Sequence, residues 1–150
     1  MQNRLILLVE DNPDDATLAR MALRKVALPV ELVVARDGAE ALDYLFCTGP
    51  YADRNPNIMP GLVLLDLKLP RMNGLEVLRR IRADRRTCSL PVVIMTMSRA
   101  ERDLAESYRL GVNSYIRKPV DFNRFSEAMQ LIAAYWLTLN ESPPQKGEDV

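Results

Sequence analysis

The chain has 150 residues with 20 basic and 20 acidic side chains, so its formal net charge is zero, and it contains no histidine. This length favours a single domain, and the composition, 48% hydrophobic and 27% charged, is typical of a globular protein. The lack of histidine excludes Ser-His-Asp and Cys-His catalytic pairs and zinc sites that use imidazole. The balanced charge argues against broad attraction to nucleic acid or acidic membranes.

Two further features bear on the cellular location. Cys47 and Cys88 lie far apart in the sequence, which is typical of neither a disulfide framework nor a cysteine metal site. The N-terminal apolar run is too short for a secretory signal, and no stretch approaches the roughly 18 apolar residues of a membrane span. We therefore expect a soluble cytoplasmic protein that neither enters a membrane nor binds nucleic acid.

Five apolar runs alternate with five helical patterns along the chain. In chain order the predicted elements are strand 4–9, helix 14–27, strand 30–35, helix 37–46, strand 61–66, helix 74–83, strand 91–96, helix 100–110, strand 113–117 and helix 121–139. The second and fifth strands are mixed in polarity, which favours the edges of a sheet, whereas the others are nearly all apolar. This alternation predicts an α/β fold with a doubly wound parallel sheet and helices on both faces.

Helix ends and the last helix carry more specific signals. Asp37 is a predicted N-cap, and Gly111 is a predicted C-cap. The predicted core stripe of the last helix consists of Phe122, Phe125, Met129, Ile132, Trp136 and Leu139. Apolar residues beside this stripe, Leu131 and Tyr135 among them, indicate either a second buried surface used for self-association or a broad core face.

Three segments stand outside this pattern. Residues 48–60 hold three prolines and one glycine, which predicts a long loop of the kind that is often functional or mobile. Residues 140–150 have the composition of a disordered tail. The arginine-rich run over residues 79–86 is interpreted as a solvated helix face rather than a nucleic-acid site.

Chemically active side chains follow the ends of the predicted strands. Glu10 and Asp11 follow the first strand, Asp66 ends the third, Thr96 ends the fourth, and Lys118 follows the fifth. Ligands of open parallel sheets bind at this edge. Three carboxylates placed together repel one another unless a cation lies between them, and Mg²⁺ is suited to such oxygen ligands. A carboxylate can also accept a phosphoryl group, whose oxygens a lysine and a hydroxyl would contact.

Four motifs in order carry a family resemblance: VEDNPDD at 9–15, LLDLKLPRMNG at 64–74, PVVIMT at 91–96 and NSYIRKP at 113–119. Over residues 4–139 the chain resembles the receiver domain of two-component response regulators. The resemblance implies a flavodoxin-like sheet with strand order 2-1-3-4-5. It also implies a receiver domain over residues 1–139, with the tail of residues 140–150 in place of an output domain.

The resemblance also implies a role for each matched residue. Asp66 would be the phosphoacceptor. The metal ion, Mg²⁺ or Mn²⁺, would be held by Glu10, Asp11, Asp66 and the backbone carbonyl of Lys68.

The same resemblance implies that residues of the fourth and fifth strands, and the lysine after the fifth, bind the phosphoryl group and form the switch. Thr96 and Lys118 would bind the phosphoryl group, and Thr96 and Tyr115 would form the switch. Tyr115 as an ordinary strand aromatic is the alternative. The Lys118–Pro119 peptide bond is expected to be cis.

The implied partner is a sensor histidine kinase, since the phosphohistidine must come from another protein. The chain would be a signalling switch that can lose its phosphoryl group by autodephosphorylation, not a conventional enzyme. The long last helix and long loop resemble the single-domain regulators of cyanobacterial and bacterial phytochromes. This narrower resemblance implies a bacteriophytochrome partner, light signalling and a homodimer through the fourth helix, fifth strand and fifth helix, with Leu131, Tyr135 and Tyr115 as candidate dimer residues.

Two other functions stay open. One is an adaptor that acts without phosphorylation. The other is an aspartyl-phosphate phosphohydrolase of the haloacid dehalogenase type. Such enzymes need a second carboxylate two residues after the nucleophile, where this chain has Lys68.

Overall fold

The computed structural model describes residues 4–144. Its strands are β1 (Leu5–Val9), β2 (Glu31–Ala35), β3 (Leu62–Leu65), β4 (Val92–Thr96) and β5 (Ser114–Arg117). Its α-helices are α1 (Pro13–Leu23), α2 (Gly38–Phe46), α3 (Gly74–Ala83), α4 (Glu101–Arg109) and α5 (Phe122–Ala134). Of the predicted tail, residues 140–144 form no helix or strand and the remainder lies outside the described residues.

The five strands form one parallel sheet in the order β2-β1-β3-β4-β5. This confirms the predicted α/β, flavodoxin-like fold. Every residue of β1, β3 and β4 is buried, whereas β2 and β5 at the edges are only partly buried. The mixed polarity of the second and fifth strands therefore marks the sheet edges, as predicted.

Alternating side chains divide the core into two layers. Leu5, Leu7 and Val9 of β1 pack with α2 and α3 on one face of the sheet. Ile6 and Leu8 pack with α1 and α5 on the other face. Within residues 4–144, no helix has the length and apolarity that crossing a membrane requires.

The ends of three helices can be compared with their predicted positions. The Asp37 carboxylate accepts the Glu40 amide at 2.8 Å and caps α2. The C-cap residue of α4 is Leu110, and Gly111, with φ of 99°, is the glycine directly after it, one position later than a C-cap. Helix α1, however, ends at Leu23 rather than near residue 27, because the amides of Lys25 and Val26 bond three residues back in a tight turn.

The last helix departs from its predicted pattern at both ends. After Ala134 the chain makes a π turn over Tyr135–Leu139, and the Asn140 amide donates to the Tyr135 carbonyl at 2.8 Å. The wider turn rotates the side chains that follow, so Leu137 is 1% exposed while Leu139 is 74% exposed. Phe122 is 40% exposed at the other end. The predicted core stripe is therefore correct for its middle members, Phe125, Met129 and Ile132, and wrong for Phe122 and Leu139.

The arginine-rich run is a solvated face, except at one position. Its exposed members are Arg79, Arg80, Arg85 and Arg86. The prediction is wrong for Arg82, whose guanidinium donates to the carbonyls of Leu90 at 2.7 Å and Gly111 at 2.9 Å and to Asn113 Oδ1 at 2.8 Å. Burial lowers the pKa of Arg82. The guanidinium fork supplies partners to carbonyls that the connecting loops leave unpaired.

Residues 48–60 are fixed to helix α2 by side-chain contacts. Arg54 donates to the Tyr44 carbonyl at 2.8 Å, and its guanidinium lies 4.2 Å from the centre of the Tyr44 ring. Tyr51 packs edge-on against the same ring and donates its hydroxyl hydrogen to Glu40 at 2.7 Å. This long loop is thus anchored to both the backbone and the side chains of α2.

Candidate functional site

Four of the predicted site residues meet at the carboxyl edge of the sheet. Carboxylate oxygens of Glu10, Asp11 and Asp66 lie within 4.8 Å of one another. The Lys118 ammonium is 2.6 Å from Glu10 Oε1 and 3.1 Å from Asp66 Oδ2. Glu10, Asp66 and Lys118 have largely buried side chains, whereas Asp11 is exposed. The strand-end rule therefore places these residues correctly.

The acidic pair after β1 is held by the start of α1. Asn12 is the N-cap, and its side-chain oxygen accepts the amides of Asp14 and Asp15. The Asn12 amide in turn donates to Glu10 Oε2 at 3.1 Å. Pro13 occupies the first helical position, where a missing N–H costs nothing. The sequence NPDD thus starts α1, and its first residue holds the Glu10 carboxylate.

The position of Asp66 is fixed by backbone hydrogen bonds and by the close approach of the Gly74 backbone to the Asp66 carbonyl. Its amide donates to the Val9 carbonyl at 3.1 Å, and its Oδ1 accepts the Lys68 amide at 3.3 Å. A Cβ atom on Gly74 would lie 2.2 Å from the Asp66 carbonyl oxygen. Only glycine at the start of α3 permits this approach. Gly74 therefore supports the site without contacting a ligand.

Lys118 is the only cation that the described contacts place among these carboxylates. Burial acts to lower the pKa of Lys118, but the hydrogen bond to Glu10 and the charges of Asp66 and Glu10 outweigh it and raise the pKa. Burial is the largest influence on Glu10 and raises the pKa of that carboxyl, against the lowering effect of Lys118. The ammonium therefore stays charged and balances part of the buried negative charge.

Asp15 is a site residue that sequence reasoning missed. Its Oδ2 lies 3.1 Å from Lys118 Nζ, and its side chain is 34% exposed. In the sequence, Asp15 stands next to Asp14, and the pair is readily interpreted as two acidic residues that stabilise a helix N-terminus. A signal was nonetheless present, because Asp15 lies four residues before Ala19 and seven before Ala22, on the buried face of α1.

Thr96 and Tyr115 lie on the neighbouring strands β4 and β5. Thr96 is fully buried, and its hydroxyl oxygen accepts the Ser98 amide at 3.2 Å. The Tyr115 hydroxyl is buried and has no hydrogen-bond partner among the described residues. Burial is the main cause that raises the pKa of Tyr115, against an opposing influence of the nearby Ser98 side chain.

The peptide bond before Pro119 differs from the expectation. All described peptide bonds are trans, Lys118–Pro119 included, so the predicted cis bond is wrong for this structure. Trans is the lower-energy form even before proline. The Lys118 amide donates to the Thr96 carbonyl at 2.7 Å, which joins the two strands beside the site.

The donor set fits a hard divalent cation. Three carboxylates whose oxygens lie within 4.8 Å of one another supply anionic oxygen ligands, and Asp11 lies open to solvent. Mg²⁺ and Mn²⁺ bind such oxygens and retain water ligands on the open side. Glu10, Asp11 and Asp66 are the residues that could hold the ion.

Comparison with known proteins agrees with this geometry. The family described as response regulator receiver domain matches residues 6–130. A probable methanogenesis regulatory protein of Methanothrix harundinacea, FilR2, is 39% identical over 139 residues, which cover 93% of this chain and 87% of that protein. Response regulator Rcp1 of Synechocystis sp. is 37% identical over 134 residues, which cover 89% of each chain.

Solved structures extend the likeness to nearly the whole chain. The phosphorylated cyanobacterial phytochrome response regulator RcpA matches with a TM-score of 0.88 and 39% identity, covering 95% of this chain and 99% of that one. The Mn²⁺-bound form of Rcp1 matches with a TM-score of 0.86 and 35% identity, covering 94% and 99%. With the family match spanning most of the sheet and the acidic cluster at its carboxyl edge, the chain belongs to the response regulator receiver domain family.

Proposed function

We propose that this protein is a single-domain response regulator that accepts a phosphoryl group on Asp66. The observation that carries the proposal is the meeting of Glu10, Asp11 and Asp66 with Lys118 at the carboxyl edge of the sheet. Receiver domains are partners of histidine kinases, so the donor would be a phosphohistidine of a sensor kinase. The receiver would span residues 1–139.

The chemistry follows from the positions of the side chains. One Asp66 oxygen would form a bond to phosphorus while the phosphorus–nitrogen bond to the donor imidazole breaks and the imidazole leaves with the electron pair. Lys118 and the Thr96 hydroxyl would donate to phosphoryl oxygens. A metal ion held by Glu10, Asp11, Asp66 and the Lys68 carbonyl would supply neutralisation of the phosphoryl charge.

The direct test is to weigh the intact protein after incubation with Mg²⁺ and acetyl phosphate. The wild-type chain is expected to gain one phosphoryl group, and Asp66→Asn is expected to gain none. Asp37→Asn is the matched control, because Asp37 caps a helix at the same edge of the sheet and asparagine retains the cap. Equal uptake by wild type and Asp66→Asn would disprove the assigned acceptor.

The two alternative functions are less well supported. A haloacid dehalogenase-type hydrolase needs an acid where this chain has an exposed Lys68. An adaptor independent of phosphorylation has no need of the buried ion pairs that join Lys118 to Glu10 and Asp66. If wild type takes up no phosphoryl group from acetyl phosphate or from a sensor kinase, the adaptor becomes the better description.

We propose Thr96 and Tyr115 as the switch that reports phosphorylation. Thr96 would turn its hydroxyl from the Ser98 amide toward the phosphoryl group, and the Tyr115 ring would repack behind it. The Tyr115 hydroxyl is buried, and within residues 4–144 no hydrogen bond of ordinary geometry reaches it, which supports a second position in which it finds a partner. The rate at which the phosphoryl group is lost by autodephosphorylation, measured by the same intact mass over time, would set how long the switch stays on.

The proposed input is a phytochrome-type sensor kinase in the cytoplasm. The similarity to RcpA over 95% of this chain supports the phytochrome context. FilR2, by contrast, is named as a probable methanogenesis regulatory protein and does not support it. The test is phosphotransfer from purified bacteriophytochrome kinases in red and in far-red light. Transfer that changes with light supports the context, and transfer from none of them contradicts it.

We propose a homodimer through the α4, β5 and α5 face. Leu131 on α5 is 71% exposed, and Tyr135 in the π turn that follows α5 is 48% exposed. Tyr115 lies half-buried on β5. Leu131→Glu is expected to give a monomer by light scattering after size exclusion, whereas Met21→Glu on α1 leaves the mass unchanged. A wild-type monomer both before and after phosphorylation would disprove the dimer.

A further inference from the structure

The geometry points to Asp15 as a positioning residue for Lys118. We infer that Asp15 accepts the Lys118 ammonium when a divalent metal ion takes Glu10 and Asp66, and so permits the metal to bind. The inference deepens the proposed function and rests on it, because it takes these two carboxylates as metal ligands.

The ammonium of Lys118 has all three of its hydrogens engaged. It contacts Glu10 at 2.6 Å and both Asp66 and Asp15 at 3.1 Å. An ammonium has three donors, so each is used by a different carboxylate. Two of the three partners, Glu10 and Asp66, belong to the cluster that could hold a metal, and Asp15 does not.

Lys118 and a divalent ion therefore compete for the same two carboxylates. A cation placed between Glu10 and Asp66 repels the ammonium, which must move away from both. Only 8% of the Lys118 side chain is exposed, so moving the charge into the pocket wall without a partner would be costly. Asp15 lies at the more open side of the three contacts, with 34% of its side chain exposed. It supplies the place to which the ammonium can move.

Asp14 provides a matched control for this role. Both aspartates lie in the first turn of α1, and both amides are bonded to the Asn12 side chain. Asp14 is exposed and has no described contact with Lys118. Asparagine at either position removes the same charge from the same helix end, so the difference between the two variants reports the contact with Lys118.

The experiment measures Mg²⁺ affinity by titration calorimetry in wild type, Asp15→Asn and Asp14→Asn, each checked for folding by circular dichroism. The same two substitutions are repeated in a Lys118→Met background. In the wild-type background, Asp15→Asn is expected to weaken Mg²⁺ binding about threefold or more beyond Asp14→Asn, the size of a partly exposed ion pair. In the Lys118→Met background the two variants are expected to match, because no ammonium is left to position. Asp15→Glu is expected to restore much of the affinity.

Each other result decides against the inference or against its basis. Equal Mg²⁺ affinities of Asp15→Asn and Asp14→Asn in the wild-type background would overturn the role of Asp15. A loss that persists at full size in Lys118→Met would show that Asp15 acts on the metal by itself. If Lys118→Met does not fold, the comparison in the wild-type background decides alone. If wild type binds no Mg²⁺, the proposed function has failed at its first step, which is a separate result.

Discussion

At the scale of single residues, the buried Tyr115 hydroxyl costs free energy in the unphosphorylated protein. It has no hydrogen-bond partner among the described residues, and such a group costs about 1–3 kcal/mol. Tyr115→Phe is therefore expected to raise the free energy of unfolding by about 1 kcal/mol. Urea unfolding of both proteins without a phosphodonor measures this. A loss of stability would mean that the hydroxyl has a partner in solution.

Tyr51 gives a second prediction at this scale, in the alkaline range. Its hydrogen bond to Glu40 is the main cause that raises the pKa of Tyr51 from 10.0 to about 12. A raised pKa in the folded state means that folding favours the protonated phenol, so this stabilisation is complete below about pH 10 and is lost as the pH rises to 12.

The variant Tyr51→Phe isolates this contribution. It is expected to lower the free energy of unfolding by about 1 kcal/mol at neutral pH, since the phenol is partly solvent-screened. The difference from wild type should shrink between pH 10 and 12. Tyr108→Phe, at an exposed tyrosine of α4, is the control substitution. A difference that stays constant across this range would contradict the assignment to the Glu40 contact.

At the scale of elements, the first turn of α3 determines where Asp66 lies. A Cβ on Gly74 would be 2.2 Å from the Asp66 carbonyl oxygen and 2.8 Å from the Leu67 Cα, both backbone atoms that cannot yield. Gly74→Ala is expected to destabilise the fold by about 3 kcal/mol and to slow phosphorylation by acetyl phosphate.

Gly38→Ala is the matched comparison for that substitution. Gly38 is likewise the first residue of its helix, α2, but the nearest neighbour of an added Cβ would be a side-chain methyl of Val77 at 2.7 Å, and the nearest backbone atom, the Met72 oxygen, would be 3.0 Å away. Side chains shift more easily than backbone, so this variant is expected to cost less stability and to phosphorylate more nearly like wild type. Chemical denaturation and the initial rate of phosphorylation test the order. Equal effects of the two alanines would refute the close-approach argument.

The elements also explain which features of the fold a sequence can reveal. Hydrophobic runs and their polarity predicted every strand and both sheet edges, because burial on one or two faces determines composition directly. Hydrophobic periodicity could not predict which side chains are buried after α5, since a π turn changes which side chains face the core without changing the composition. Arg82 was misplaced for a similar reason. Two of its partners are the backbone carbonyls of Leu90 and Gly111, and a carbonyl is common to every residue, so no residue type in the sequence indicates it.

At the scale of the whole molecule, the site could be predicted where topology alone decides it. Parallel strands carry their C-terminal residues to one edge, so Glu10, Asp11 and Asp66 meet whatever the details of packing. The contact between Asp15 and Lys118 depends on how α1 is oriented relative to the end of β5. These two residues are 103 positions apart in the sequence. Such contacts follow from the packed structure and not from local patterns.

The stability of the whole molecule is tied to the charge of this site, and Lys118 is the means to test it. Lys118→Met leaves the buried carboxylates of Glu10 and Asp66 without their cation, which is expected to lower the free energy of unfolding by about 3 kcal/mol in metal-free buffer.

Mg²⁺ should then reverse much of this loss, because a ligand that binds only the folded state adds about 2.7 kcal/mol at a hundredfold excess over its Kd. The gain is expected to be larger for Lys118→Met than for wild type, since in the variant no ammonium competes for Glu10 and Asp66. Thermal unfolding with EDTA and with Mg²⁺ measures both gains, and Lys25→Met, at an exposed lysine, serves as the control. An equal gain in both proteins would mean that the ammonium and the metal do not share these carboxylates, and the site would then hold its cation elsewhere.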